Sequence, residues 1–155
     1  MTDSLSREAR SQRMSLIKGK NTKPEMIVRR LVHAAGYRYR LHDKKLAGKP
    51  DLVFVSRRKI IFINGCFWHR HCDCALARMP KSNQAFWTDK LASNKARDED
   101  NWAKLVEQGW AVLVIWECEL GDMDTLIARI RSFLDTPLAA RIDSRGAKLP
   151  VSRAA

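Results

Sequence analysis

Two short apolar runs joined by a polar turn constrain the fold of this chain most strongly. Residues 51–55 and 59–63 are almost entirely apolar and flank Ser56-Arg57-Arg58, which is the pattern of a β-hairpin. A strand without alternation of polar and apolar residues is usually covered on both faces. We therefore expect this pair of strands to lie at the centre of a sheet that is flanked by helices.

The other elements are predicted from helical spacing and from residues that begin or end helices. Thr22 to Glu25 has the pattern of a capping box, with a proline in the first turn, and Gly36 ends the helix that follows. The remaining predicted elements are a strand at 37–41, a helix from Ser82 or Asn83 to about Gln108 with a break near Ser93, a strand at 111–116 and a helix at 122–134. This order predicts an α/β domain with a mixed sheet.

The positive charge of the chain is concentrated near its start. The formal net charge is +12, and residues 1–40 hold ten Lys or Arg against three acidic residues. Such a basic face favours a polyanion, most often nucleic acid. The alternatives are a basic protein without such a partner and an anionic membrane, which the lack of a long amphipathic face disfavours. We divide the chain into a basic N-terminal segment at 1–20 that clamps DNA, a main domain at 21–136 and a flexible tail at 137–155.

The distribution of apolar residues favours a cytoplasmic protein. No apolar run approaches the roughly 20 residues that span a bilayer, and the first residues lack the layout of a signal peptide. The reducing conditions of the cytoplasm disfavour disulfides. The four cysteines are therefore candidates for another role.

Cysteines and histidines are concentrated in the long segment 64–83. Cys66, His71 and Cys74 are spaced so that one loop can surround a small ion, and Cys118 follows a predicted strand that can hold it as a fourth ligand. Thiolates combined with an imidazole select zinc in tetrahedral geometry, here in a structural role. Cys72 competes with Cys74 for the third position, and spacing does not separate the two. The alternative is a set of ordinary buried thiols.

Four residues are candidates for hydrolytic chemistry. Asp51 opens an apolar strand, where its carboxylate can bind a hard cation such as magnesium. His69 remains once His71 is assigned to zinc, and its imidazole can deprotonate an attacking water. Asp98 can orient His69, and Glu25 can order a water beside the cation. Each has an ordinary alternative: a strand-end carboxylate, a structural imidazole, a solvated helical charge and a capping residue.

Large aromatic residues accompany this segment. Phe67 and Trp68 are adjacent in a polar loop, and Trp87 follows Phe86 on the next helix. Aromatic side chains in this position can wedge between base pairs, because stacking returns part of the cost of opening a step. Packing in the core is the alternative for Phe67 and Trp68. Core packing is expected for Trp102, Trp110 and Trp116.

These residues resemble the very short patch repair (Vsr) endonucleases over about residues 7–120. The most specific string is Phe62-Ile-Asn-Gly-Cys-Phe-Trp-His69. Further matching segments are Arg10–Met14, Asn21–Glu25, Tyr39–His42, Gly48–Asp51, Met79–Asn83, Phe86-Trp87, Asn94–Asp98, Gly109-Trp110 and Trp116–Cys118.

The resemblance implies a restriction-endonuclease-like fold, a mixed central sheet flanked by helices with a structural zinc site. It also implies a magnesium-dependent nick on the 5′ side of the thymine in a T:G mismatch, the lesion left by deaminated 5-methylcytosine. For magnesium, as two ions, it implies Asp51 and the backbone carbonyl of Ile63, with His69 as general base and Glu25 and Asp98 in support. For zinc it implies Cys66, His71, Cys74 and Cys118. For DNA it implies Phe67, Trp68 and Trp87 as the wedge, and Met14 and Ile17 in the minor groove beside the basic Arg10 and Arg13.

The chain departs from the family at two positions. Ile63 and Asn64 stand where some members have Thr and His. A backbone ligand survives the first change, whereas the second removes an imidazole near the scissile phosphate and leaves the role of Asn64 open. The acidic-x-Lys pair of the wider superfamily is also absent, so proton abstraction would depend on His69. Cys74 fits the family better than Cys72 because of its distance to Pro80.

The expected partner is double-stranded DNA with a T:G mismatch, bound by a monomer that associates with the nucleoid. A functional link to a DNA cytosine methyltransferase and to mismatch-repair proteins is also expected. Two other functions remain open. One is a DNA-binding module that zinc holds together and that has no catalytic activity. The other is a relaxed nuclease of a restriction system.

Overall fold

A mixed four-stranded sheet forms the centre of the structure, a computed structural model that describes residues 6–17 and 19–138. The strands are β1 (Arg40–Leu41), β2 (Leu52–Phe54), β3 (Lys59–Asn64) and β4 (Ala111–Trp116). The α-helices are α1 (Arg7–Ser15), α2 (Lys23–Ala34), α3 (Gln84–Glu107) and α4 (Met123–Asp135).

The strands lie in the order β1-β2-β3-β4 across the sheet. β2 is antiparallel to both β1 and β3, and β3 and β4 are parallel. The parallel pair is joined by α3, since a parallel connection must return the chain to the same end of the sheet. The predicted mixed sheet is confirmed, and β2 and β3 are its two central strands as expected.

Each central strand contributes to two separate cores, which explains why its sequence does not alternate. Ile60 and Phe62 pack with Trp102 and Leu105 of α3 on one face. Ile61 packs with residues of α2 and α4 on the other face. Successive side chains of a strand point to opposite faces, so a sheet covered on both sides needs an apolar residue at every position. The core positions expected for Trp102 and Trp110 are confirmed, and Trp116 is partly buried against the same cluster.

Several predicted boundaries were wrong. The helix α3 runs without a break through Ser93. Asn83 lies at its N-cap position in a left-handed conformation and makes no side-chain cap hydrogen bond. Only Arg40–Leu41 of the predicted strand at 37–41 pairs with a neighbour.

The predicted capping box at α2 forms only in part. The hydroxyl of Thr22 accepts the backbone N–H of Glu25, at 3.4 Å. The carboxylate of Glu25 does not reach back to the cap, because it pairs with Arg29 and His42 instead. Gly36 ends the helix as predicted, with a φ of +96° that favours glycine.

The described residues contain no helix that is both long and apolar enough to cross a membrane. Of the N-terminal segment predicted at 1–20, the structure describes residues 6–17, 19 and 20, which include α1. The tail predicted at 137–155 lies outside the described residues from position 139 onward.

Candidate active site and metal centre

A cleft of about 620 Å³ opens beside the C-terminal end of β3, between the first turn of α2 and the middle of α3. All five residues predicted for catalysis line this cleft, although they come from five separate parts of the chain: Glu25, Asp51, Asn64, His69 and Asp98. Ile63 and Trp68 also contribute to its wall. The structure therefore brings the predicted catalytic residues together at one place.

Asp51 immediately precedes β2 and faces β3. Its Oδ2 accepts the backbone N–H of Ile63 at 2.7 Å, which places the Asp51 carboxylate against the Ile63 backbone. The pKa of the Asp51 carboxyl is raised from 3.8 to about 6, chiefly by burial and in smaller part by the nearby Glu25 carboxylate, while the hydrogen bond from the Ile63 amide opposes the shift. A bound cation would favour the ionised form of this carboxylate. The carbonyl of Ile63 as a cation ligand remains a prediction.

His69 and Asp98 form a side-chain pair at the same cleft. Nδ1 of His69 is hydrogen-bonded to Oδ2 of Asp98 on α3. This contact assigns the Nδ1 position to the carboxylate and leaves Nε2 as the nitrogen that can exchange a proton with another group. A general base held by a carboxylate in this way has a defined tautomer and orientation. The arrangement suits proton transfer from a water molecule.

Glu25 belongs to a buried network that includes two residues absent from the predicted site. Its Oε1 pairs with the guanidinium of Arg29 one turn later and lies 2.8 Å from Nε2 of His42. Glu25 is only 3% exposed and Arg29 8% exposed, so the ion pair is shielded from solvent. His42 was missed in the sequence, because the length of the loop after it does not reveal which residue of the next strand lies opposite.

Asn64 ends β3 and is 5% exposed. Its side-chain Nδ2 has no hydrogen-bond partner among the described residues, although it lines the cleft. A buried N–H group without a partner costs about 1–3 kcal/mol. The geometry therefore leaves a donor at the cleft that a ligand could satisfy.

The three aromatic residues predicted as a wedge form one cluster. Phe67 lies 5.1 Å from Trp68 and 5.5 Å from Trp87 between ring centroids, and Trp68 lies 6.0 Å from Trp87. The ring centroid of Phe86, which is 59% exposed, lies 5.3 Å from that of Trp87. None of them belongs to the two core clusters of the described residues. Core packing thus does not account for their position, and a partly exposed aromatic surface stands beside the cleft.

Two apolar residues at the end of α1 and just after it are exposed to solvent. No residue of α1 is buried, and Met14 and Ile17 are 40% and 49% exposed. Ile17 also lines the cleft. Arg13 is exposed and Arg10 half-buried. The predicted minor-groove and phosphate contacts of this segment are therefore sterically accessible.

Four residues form a compact group of potential metal ligands: Cys66, His71, Cys74 and Cys118, with ligand atoms all within 4.8 Å of one another. Nδ1 of His71 lies 3.6 Å from Sγ of Cys66 and 3.3 Å from Sγ of Cys118. The edge between a nitrogen and a sulfur in a tetrahedral zinc site is about 3.6 Å. The donor set and its spacing fit zinc, and Cys72 is not a member of this group.

Two features adapt the group to a metal. The ring of His71 stacks on Trp116 with centroids 4.4 Å apart and planes 8° apart, which fixes the plane of the imidazole. Burial raises the pKa of the Cys66 thiol to about 12, so its thiolate form is unfavourable without a cation. The backbone amide of Leu76 lowers the pKa of the half-buried Cys74 thiol. A divalent ion would compensate the buried thiolate charge.

Comparison with known proteins assigns the chain to a family. The model of the family described as DNA mismatch endonuclease Vsr matches residues 2–76. The chain is 34% identical over 155 residues to the DNA mismatch endonuclease Vsr of Escherichia coli, covering 96% of this chain and 99% of that protein. The chain belongs to the Vsr family.

Other relatives are named as nicking enzymes. The chain is 50% identical over 135 residues to the type II nicking enzyme V.XorIIP of Xanthomonas oryzae, covering 87% of this chain and 98% of that protein. It is 44% identical over 120 residues to the type II nicking enzyme V.NmeAIP of Neisseria meningitidis, covering 77% and 85%.

The region that matches the Vsr family model includes most of the candidate site. Glu25, Asp51 and His69 lie inside residues 2–76, whereas Asp98 and Cys118 lie beyond it. Those two residues come from α3 and from the end of β4, and the fold brings them to the matched region. The family resemblance of the sequence is thereby confirmed, and the roles of individual residues remain predictions.

Proposed function

We propose that this protein is a magnesium-dependent DNA mismatch endonuclease that nicks one strand 5′ of the thymine in a T:G mismatch. The observation that carries this proposal is the convergence of Asp51 and the His69–Asp98 pair on one cleft, next to the aromatic cluster. Membership of the Vsr family supports it independently. The relatives named as nicking enzymes support cleavage of a single strand.

Asp51 and the backbone carbonyl of Ile63 would hold magnesium, as two ions. When bound, magnesium supplies Lewis-acid stabilisation of the negative charge that develops on the scissile phosphate. His69 takes a proton through Nε2 from the water that attacks phosphorus. One P–O ester bond of the backbone breaks in the same step, and the departing sugar oxygen takes a proton from solvent to become a hydroxyl. Asp98 stabilises the imidazolium that results, because its carboxylate is already hydrogen-bonded to Nδ1.

Asn64 would donate a hydrogen bond from Nδ2 to a non-bridging oxygen of the phosphate. The support for this role is the absence of any other partner for this buried donor among the described residues. The side-chain amide of Asn64 is uncharged at every ordinary pH, so the strength of this hydrogen bond would not change with pH. This differs from the imidazole that some members of the family carry at the same position.

The aromatic residues Phe67, Trp68 and Trp87 would open the DNA at the mismatch. A mispaired step costs less to unstack than a paired one, so a wedge discriminates between the two. Met14 and Ile17 of the N-terminal segment would enter the opposite groove, and the guanidinium groups of Arg10 and Arg13 would contact phosphates.

A nicking assay tests this function. The protein is incubated with magnesium and end-labelled duplexes that differ only by a T:G or a T:A pair. We expect a single nick in the thymine strand of the mismatched duplex and about a hundredfold slower cutting of the paired one, which corresponds to about 2.7 kcal/mol. Equal cutting of both duplexes would instead support a relaxed nuclease, and no cutting would support a DNA-binding module.

The variant Asp51→Asn separates the enzyme from the binding module. We expect it to lose nicking while it keeps its affinity for DNA, because the carboxylate acts in chemistry rather than in docking. Activity equal to that of the unchanged protein would contradict the assigned role of Asp51. The monomeric state and the link to a cytosine methyltransferase and mismatch-repair proteins belong to the same proposal.

A further inference from the structure

We propose that His42 is a direct ligand, through Nδ1, of the divalent cation that binds to Asp51, and that Glu25 holds the imidazole in place for this purpose. The inference rests on the proposed function, since it requires a cation at Asp51. It adds a nitrogen donor to a site that otherwise has only oxygen ligands.

The sheet places His42 and Asp51 opposite each other. Leu41 of β1 pairs with Leu52 of β2 in an antiparallel register. The next residue outward on each strand is therefore His42 and Asp51, and the backbone N–H of His42 donates to the carbonyl of Asp51 at 3.4 Å. Opposed residues of antiparallel strands have their Cβ atoms about 5 Å apart. Both side chains line the cleft.

The distance between the two side chains suits an intervening cation. Nδ1 of His42 lies 3.9 Å from Oδ1 of Asp51, which is too long for a hydrogen bond. Two metal–ligand bonds of about 2.1 Å hold neighbouring ligand atoms of an octahedral ion about 3.0 Å apart and opposite ones about 4.2 Å apart, so one ion can contact both atoms after a shift of less than about 1 Å. The other oxygen, Oδ2, is already occupied by the Ile63 amide. Oδ1 is thus the oxygen that faces the imidazole.

Glu25 favours the tautomer that metal binding requires. Its Oε1 lies 2.8 Å from Nε2 of His42 and can accept a proton from that nitrogen, which leaves the lone pair on Nδ1. A carboxylate that accepts from the second nitrogen is the usual support of a metal-ligating histidine. Arg29 approaches the same Nε2 at 2.7 Å and favours the other tautomer if it donates there. Nη2 of Arg29 carries two N–H groups and its contact with Glu25 uses one of them, so a cation at Nδ1 must displace the contact of the other with His42.

The charges around Asp51 also favour a bound cation. No lysine or arginine in the described part of the chain forms an ion pair with this carboxylate, whereas Arg29 neutralises the neighbouring Glu25. Asp51 is mostly shielded from solvent, with its side chain 20% exposed. A partly buried carboxylate without a paired lysine or arginine is stabilised by a divalent ion.

The donor set predicts a preference among metals. An imidazole nitrogen strengthens binding of manganese or cobalt more than that of magnesium, which prefers oxygen ligands. The zinc-loaded protein should therefore bind Mn²⁺ more tightly than Mg²⁺ at the cleft. Removal of the imidazole should weaken the binding of Mn²⁺ more than the binding of Mg²⁺.

The test measures metal binding without DNA. Zinc-loaded protein is titrated with Mn²⁺ or Mg²⁺ by calorimetry, and pulsed electron paramagnetic resonance on the Mn²⁺ complex detects coupling to a ligating ¹⁴N nucleus. We expect a ¹⁴N signal that disappears in His42→Gln, with Mn²⁺ affinity lowered at least about tenfold. The matched control is His33→Gln, since His33 is exposed on α2 and should change neither result.

Three outcomes would overturn the proposal: no ¹⁴N coupling in the unchanged protein, an unchanged Mn²⁺ affinity in His42→Gln, or a signal that is lost in His69→Gln but kept in His42→Gln. Retained zinc and an unchanged unfolding temperature show that His42→Gln folds. The result is independent of nicking. A protein that binds Mn²⁺ through His42 but does not cut mismatched DNA would refute the proposed function and leave this ligand assignment intact.

Discussion

The side-chain amide of Asn94 donates to the backbone carbonyl of Trp68 at 3.1 Å. Asn94 lies on α3 one turn before Asp98, and residues four apart share a face of a helix. The helix therefore holds two consecutive loop residues, Trp68 through Asn94 and His69 through Asp98. The aromatic cluster and the imidazole of the candidate site are positioned by the same helical face.

Replacement of Asn94 by Ala should loosen this arrangement. The Trp68 carbonyl loses its donor in a buried setting, which we expect to cost about 1–2 kcal/mol of folding free energy and to slow nicking about tenfold. Thermal unfolding and single-turnover nicking measure the two effects. Arg97→Ala is the matched control, because within the described part of the chain the side chain of Arg97 makes one hydrogen bond, to the Oδ1 of Asn94. Equal loss of activity in both variants would contradict a specific role for the Trp68 contact.

Asp51 should make the metal-free protein less stable as the pH rises, which is the opposite of the usual effect of a carboxylate. The folded pKa of about 6 lies above the ordinary 3.8, so the folded state holds the proton more tightly. Stability from this group is present at low pH and is lost as the pH rises from about 4 to about 6. We expect Asp51→Asn to raise the unfolding temperature at pH 7.5 and to leave it nearly unchanged at pH 4. Thermal scans with a chelator for magnesium measure this difference.

The affinity of a divalent cation for Asp51 should show the opposite pH dependence. A cation requires the ionised carboxylate, so its affinity should fall about tenfold for each pH unit below 6. Calorimetric titrations between pH 5 and pH 7.5 measure this slope. An affinity that stays constant over this range would show that Asp51 is not a ligand.

Zinc content should distinguish Cys74 from Cys72. We expect Cys74→Ser to lose the ion or to bind it far more weakly, because Cys74 belongs to the group of four ligands. Cys72→Ser is a matched control two residues away, with an exposed thiol outside that group. Elemental analysis of the purified variants measures the ion. Loss of zinc in Cys72→Ser alone would reverse the assignment.

Lys59 provides a test of stability that is separate from the site. This buried residue, 2% exposed, donates from Nζ to the carbonyls of Phe133 and Leu134 at 2.5 and 2.8 Å, at the C-terminal end of α4. A cation is favourable at that end of a helix dipole. We expect Lys59→Met to lower the free energy of unfolding by about 3 kcal/mol.

The matched control for Lys59 is Lys104→Met. Lys104 is exposed, and its ion pair with Asp100 contributes little, about 0.5 kcal/mol or less. Denaturant unfolding measures both variants. Nicking by Lys59→Met at a temperature where it is folded should be unchanged, because Lys59 does not line the cleft. A drop of less than 1 kcal/mol would contradict the capping role.

The elements of the fold were largely predictable because their signals are local. The apolar runs at 51–55 and 59–63 predicted the central strands, and Gly36 predicted the end of α2. The break near Ser93 was wrong, since Leu91 and Asn94 on either side of it are buried and Trp102 and Leu105 of the same helix pack against the sheet. The paired part of β1 was too short for its sequence to define.

The sequence by itself determined which chemistry is available: a carboxylate at the start of a strand, an imidazole beside thiols, and aromatic side chains in a polar loop. Only the tertiary structure decided which of these groups meet. The register of β1 on β2 places His42 opposite Asp51, and the loop between them could have allowed a shift of one residue, which turns every side chain to the other face. The turn of α3 that carries Asn94 and Asp98 likewise faces the cleft only because its apolar side packs on the sheet.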